Sequence, residues 1–145
     1  MRAVIQRVSY CQVKVNEKTI GQIGQGLLVF LAIKENDNEA VIDKLAKKII
    51  NLRIFDDGQN RMNLSVKEIA GEIIVVSQFT LYGDAGRGNR PSFIESAERE
   101  KAKIFYEKFI NYLVNQKVKV QNGEFGAIMQ VELINDGPVT IIIDL

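Results

Sequence analysis

The apolar residues of this chain fall into alternating runs, one unbroken run and two helical stripes. Residues 2 to 8 and 11 to 15 alternate through Val4, Val8, Cys11, Val13 and Val15, the period of half-buried strands. Asn16, Glu17 and Lys18 read as a turn into residues 19 to 23, which predicts a hairpin. Arg7 interrupts the first strand, and alternation alone makes it an outward-facing, solvated residue. Leu27 to Ile33 is uninterrupted and reads as a central strand covered on both faces. Gly24 and Gly26 before it read as a turn, because no Gly-Lys-Ser/Thr follows to form a phosphate loop.

Over residues 37 to 50, Val41, Leu45, Ala46 and Ile49 share one stripe, with Asp37 or Asn38 as the cap. A longer helix is predicted over 95 to 114, with Ala97, Ile104, Phe105, Phe109, Tyr112 and Leu113 facing a core. Between them lie a short strand at Leu52 to Phe55, a turn or short helix ending near Gly71, and a buried strand from Ile73 to Ser77. Val118 and Val120 begin a further strand. Residues 125 to 134 and 139 to 143 then flank the turn formers Asn135-Asp136-Gly137-Pro138, which predicts a closing hairpin. A Gly-Pro bond is cis in only ~5–6% of folded cases, so the sequence alone favours trans. Roughly eight strands and two long helices that do not alternate strictly define an α+β fold. The expectation is largely antiparallel sheets with the two long helices on one side.

Composition narrows the chemistry more than it narrows the fold. A length of 145 residues is that of one domain, taken as residues 1–145, able to bury roughly 68–70% of its unfolded surface. With 19 basic and 18 acidic residues the net charge is +1, so bulk charge argues neither for nor against a polyanion partner. No stretch is apolar enough for a signal peptide or a membrane span, and the expectation is a soluble cytoplasmic protein. A single Cys11 cannot form an intrachain disulfide. Histidine is absent altogether. That excludes a Ser-His-Asp triad, a Cys-His pair and any histidine-bound metal. Proton transfer near neutral pH is left to a carboxylate, a lysine, water or a group on the substrate.

Three places remain as candidate chemistry. Ser77, Gln78 and Thr80 sit where a buried strand ends, an arrangement that carries polar groups from a rigid core to a rim. Asp56 and Asp57 are adjacent, but lack the spaced oxygen ligands of a calcium loop. Residues 82 to 93 hold three glycines with Arg87 and Arg90, a locally basic loop able to approach a phosphate backbone or simply to be solvated.

Taken together, Ser77-Gln78-Phe79-Thr80-Leu81, Phe125-Gly126-Ala127-Ile128-Met129 and Asn135-Asp136-Gly137-Pro138-Val139-Thr140 resemble the signature segments of D-aminoacyl-tRNA deacylases. The opening residues 1 to 8 and residues 88 to 93 fit the same family, so the resemblance spans the chain in order. It implies a β/β/α fold and a homodimeric enzyme that hydrolyses the ester between a D-amino acid and the 3′ end of tRNA. Glycine mischarged on tRNA is an implied second substrate. No cofactor and no metal are implied. The resemblance makes Ser77, Gln78, Phe79 and Thr80 the catalytic segment, and gives Phe125, Gly126, Ala127 and Met129 the terminal adenine. It also implies that Gly137-Pro138 is cis and enters the partner subunit's site, with Arg7 packed beside that turn in support. Thr80 is then either a nucleophile or a positioning group, with the ribose 2′-OH assisting a water. Two other functions compete with deacylation of D-amino acids: a non-catalytic tRNA-binding module, and an editing domain for a mischarged L-amino acid.

Overall fold

The computed structural model describes residues 1–86 and 88–145. These form strands β1 (Arg2–Val15), β2 (Lys18–Ile23), β3 (Gly26–Ala32), β4 (Phe55–Asp56), β5 (Met62–Leu64), β6 (Glu72–Ser77), β7 (Lys119–Asn122) and β8 (Gln130–Asp144). Helix α1 spans Glu39–Ile50 and α2 spans Arg99–Asn115. One six-stranded sheet runs in the order β2-β1-β3-β6-β7, with β8 also paired to β1, and β4 and β5 form a separate pair.

The two alternating segments at the start of the chain are one strand. β3 pairs with β1 along Arg2–Val8, β2 pairs with it along Cys11–Val15, and β8 runs antiparallel to it from Arg2–Asp144 to Lys14–Gln130. The expected closing hairpin is therefore not formed. Residues on both sides of Asn135–Pro138 pair with β1 in the same sense, so the chain does not reverse there. Pairing jumps from Gln6–Thr140 to Val8–Asn135, which leaves residues 136 to 139 bulged opposite Arg7 alone. The long free edge of β1 accounts for this, because it offers both halves of β8 ladder hydrogen bonds that a separate hairpin would have to find elsewhere.

The α+β class and the one-sided helices stand, but the sheet is mixed. β6 is parallel to both β3 and β7. Parallel neighbours need a crossover, and the two helices supply it: α1 between β3 and β6, α2 between β6 and β7. Leu27, Val29, Leu31, Ile73 and Val75 bury against Ile42, Leu45, Ile49, Phe105, Phe109 and Leu113 of these helices. On the other face, Leu28, Ile74 and Val76 join Val8, Cys11, Val13 and Ile23 in a smaller cluster. β3 is covered on both sides, as its unbroken apolar run requires. At its start Gly26 is pressed onto β6: a Cβ there would lie 1.9 Å from the Glu72 carbonyl oxygen.

Helix boundaries moved for identifiable reasons. Asn38, not Asp37, caps α1, its side chain accepting from the Ala40 N–H at 3.1 Å. α2 begins four residues later than expected, because Ala97 and Ser96 are tied to the loop after β3: the Ala97 N–H donates to the Ile33 carbonyl at 2.9 Å. The stripe of α2 consequently runs through Phe105, Tyr106, Phe109 and Leu113, and Ile104 is left 51% exposed. The strand expected from Phe125 starts at Gln130, and residues 123 to 129 form a loop instead.

Candidate active site

The C-terminal end of β6 is continued for one residue by pairing to β3, with the Gln78 N–H donating to the Leu31 carbonyl at 2.8 Å. The chain then tightens into a 3-10 turn over Phe79–Tyr82. The Phe79 ring meets Phe93 edge-on at 5.1 Å, and its carbonyl accepts from the Ser96 hydroxyl at 3.0 Å. This fixes the turn while leaving the ring 58% exposed. The Thr80 side chain is also exposed, and the Gln78 carboxamide donates to its hydroxyl. Because the Gln78 N–H is consumed by Leu31, it is unavailable as an oxyanion donor. The Phe79 and Thr80 N–H groups, first in the turn, have no backbone acceptor among the described residues.

Beside this turn opens a cavity of about 560 Å³. Leu31, Ala32, Val76, Ser77, Gln78 and Phe79 line one side; Phe125, Gly126, Ala127 and Met129 line the other; Ala97, Arg99 and Ala102 close it from the start of α2. Two segments 48 positions apart in sequence, Ser77 to Phe79 and Phe125 to Met129, are thus brought to one space. The second is anchored by Tyr106, whose hydroxyl donates to the Val75 carbonyl at 2.8 Å and approaches that of Gly123 at 3.3 Å. Burial raises the Tyr106 hydroxyl above the usual tyrosine range, so it stays a donor. The Phe125 ring rests on Tyr106 at 5.7 Å.

Thr80, Arg7, Gly137 and Pro138 do not line this cavity within the chain. The Gly137-Pro138 bond is cis, and both residues are exposed on the bulge of β8. Arg7 is not a solvated strand residue: its side chain is 13% exposed and paired to the Asp136 carboxylate at 3.0 Å. It also donates to the carbonyls of Asp136 at 3.1 Å and Ile54 at 2.5 Å, while Asn135 donates back to the Arg7 carbonyl at 2.9 Å. Alternation could not show this, since the bulge leaves Arg7 without a paired residue on β8.

Arg99 is the residue that pattern reading missed. It is the sole ionisable side chain among those lining the cavity. Its one sequence signal is a cation in the first turn of a helix, where the positive end of the dipole disfavours it. Asp56 and Asp57 serve their own turn, accepting from the N–H groups of Gly58, Asn60 and Gln59 at 2.6, 3.1 and 3.0 Å. Among the described residues no group of three or more His, Cys, Asp or Glu side chains is placed to hold a metal ion. The basic-loop reading rests partly on Arg87, which lies outside the described residues; the base of that loop is closed by reciprocal Asp84–Ser92 hydrogen bonds of 2.8 Å. No helix among the described residues is long and apolar enough to cross a membrane.

Comparison with known proteins gives the family and the fold. A family model described as D-Tyr-tRNA(Tyr) deacylase matches residues 4–144. A D-aminoacyl-tRNA deacylase of Dictyoglomus turgidum is 58% identical over 144 residues, covering 99% of this chain and 92% of that protein. One from Thermosipho africanus is 57% identical, covering 99% and 97%. Among solved structures, a c-Myc DNA Unwinding Element Binding Protein superposes with a TM-score of 0.93 at 38% identity, covering 100% of this chain and 99% of that one. A probable eukaryotic D-amino acid tRNA deacylase shares the fold at a TM-score of 0.86 and 18% identity, covering 99% and 98%. Fold, cavity and relatives define an α+β hydrolase. The chain belongs to the D-Tyr-tRNA(Tyr) deacylase family.

Proposed function

We propose that the protein hydrolyses the ester joining a D-amino acid to the 3′-terminal adenosine of tRNA, releasing the free amino acid and tRNA in the cytoplasm. The observation that carries this is the cavity between Ser77–Phe79 and Phe125–Met129, largely apolar in its walls and without a side chain that can act as a base at neutral pH. An aminoacyl ester is already activated, so orientation and an oxyanion site suffice. The Phe79 and Thr80 N–H groups face the developing oxyanion, and the ribose 2′-OH assists the attacking water. Water adds to the ester carbonyl, and the intermediate collapses by expelling the 3′ oxygen, which leaves with a proton. Thr80 positions substrate or water in this scheme. Phe125, Gly126, Ala127 and Met129 receive the adenine through apolar and main-chain contact.

Chirality is set by exclusion, through Gly137 and Pro138 of a second copy. Supporting this, both residues are exposed, lie outside their own chain's cavity, and are held in place by Arg7. The same strand also presents Ile134 and Ile142, 60% and 67% exposed, as apolar surface for a homodimer. A wall of backbone meets the side chain of an L-amino acid and misses that of a D-amino acid. Glycine has nothing to exclude and is hydrolysed as well. The test is turnover of D-Tyr-tRNA, L-Tyr-tRNA and Gly-tRNA by the purified protein. Hydrolysis of the first and third alone is expected; equal hydrolysis of the D and L esters, or of neither, overturns the reading.

A further inference from the structure

The cavity walls are neutral except at one point. Arg99 projects from the first position of α2 to the Phe125–Met129 side, where its Nη2 lies 2.7 Å from the place a Cβ on Gly126 would occupy. Gly126 has φ +79, so any side chain there would strain the backbone as well as push the guanidinium away. No carboxylate of the described residues pairs with Arg99, although Glu98 and Glu100 flank it in sequence. The side chain is exposed, so its charge is neither compensated nor buried.

A lone cation in a neutral cavity assigns the direction in which a substrate lies. An aminoacyl-tRNA 3′ end carries two kinds of charge, the ammonium of the amino acid and the phosphates of the chain. The ammonium is repelled by a guanidinium, so the amino acid belongs at the Ser77–Phe79 end. The phosphate that joins the terminal adenosine to the preceding nucleotide belongs at the Gly126 end. We propose that Arg99 grips that phosphate, fixing the polarity and depth of the 3′ end in the cavity. The guanidinium fork suits a phosphate's oxygens. Arg99 is a binding and positioning residue, and this assignment rests on the deacylase reading.

The test compares two D-tyrosyl esters, one of cytidylyl-(3′→5′)-adenosine, which contains the phosphate, and one of adenosine, which lacks it. Wild type, Arg99→Ala and Arg99→Lys are assayed on both. A charge-assisted hydrogen bond is worth enough that Arg99→Ala should raise KM on the dinucleotide ester about tenfold more than on the adenosine ester, with kcat preserved. Arg99→Lys should recover part of the loss. On D-Tyr-tRNA the slope of log KM against log salt should fall by about 0.7 in Arg99→Ala, the loss of one phosphate contact to a single strand. Equal losses on both esters would mean that Arg99 stacks on the base instead, and would overturn the phosphate assignment. So would wild-type turnover that Arg99→Ala leaves unaltered on both. Absence of turnover by wild type on every D-ester, D-Tyr-tRNA included, removes the deacylase reading, and this assignment with it.

Discussion

The two faces of the six-stranded sheet bury apolar side chains to different ends. Under α1 and α2, the side chains of β3 and β6 meet a continuous layer from Ile42 to Leu113, and Phe109 at its centre is fully buried. On the opposite face the cluster around Cys11 and Ile74 is smaller, and its outer members Phe30, Met129, Val131 and Leu133 are only partly covered. The cavity opens where the two clusters meet, at the ends of the parallel strands, with Leu31 from one and Val76 from the other in its wall. The closed face supplies rigidity, and the open face leaves apolar surface around the cavity partly uncovered.

This contrast is most directly broken from the closed side. Phe109→Ala removes a fully buried ring and should cost about 3–5 kcal/mol, lowering Tm by on the order of 10 °C. A loss under about 1 kcal/mol by urea titration would mean that α2 is not packed as described. Next comes Gly26→Ala, which sets a methyl 1.9 Å from the Glu72 carbonyl oxygen at the start of the β3–β6 pairing. Overpacking of that kind costs about 1–3 kcal/mol, and here it must shift backbone, not a side chain. Unchanged stability in this variant would show that the two strands are further apart than the contact requires.

The closed face was legible in the sequence, and the open one only in part. A stripe at helical spacing and an unbroken apolar run have one satisfactory burial, so β3, α1 and most of α2 follow from pattern. Ile104 falls outside the buried stripe and Tyr106 inside it, in a helix whose real start at Arg99 is set by the Ala97–Ile33 hydrogen bond, a contact between distant segments. The bulge of β8 was misread as a turn for a similar reason. Turn formers specify a local bend, but whether the chain reverses depends on the partner edge, here the 14-residue β1. The meeting of Ser77–Phe79 with Phe125–Met129 was expected only through resemblance to known sequences. Nothing in either segment's own pattern points to the other, and Arg99 belongs to neither.

Cys11 tests whether the smaller cluster is dry. It is fully buried, and burial pushes its thiol from 9.0 up to about 11. The folded state thus holds its proton where the unfolded state has lost it. The stabilisation is complete below pH 9.0 and lost as pH rises toward 11, by up to about 1.4 kcal/mol per unit. The stability difference between wild type and Cys11→Ala should therefore shift against wild type across that window. Native Cys11 should also resist alkylation at pH 8 and react once urea unfolds the chain. Prompt labelling of the native protein would show that water reaches this face.

The smallest effect on stability is expected at Phe79, and it separates the two faces most sharply. Its ring is 58% exposed and loses only the edge contact to Phe93 on truncation, so Phe79→Ala should cost about 1 kcal/mol or less. A folding argument gives no reason to keep so large an apolar group in water. If the ring is instead covered by the bound aminoacyl end, its removal forfeits ~1.5–3 kcal/mol of burial that exists only in the complex. That is about tenfold or more in kcat/KM on D-Tyr-tRNA, from a variant whose urea midpoint barely moves. The reverse pattern, several kcal/mol of stability lost with turnover intact, would make Phe79 part of the closed core and remove the turn at the end of β6 from the site.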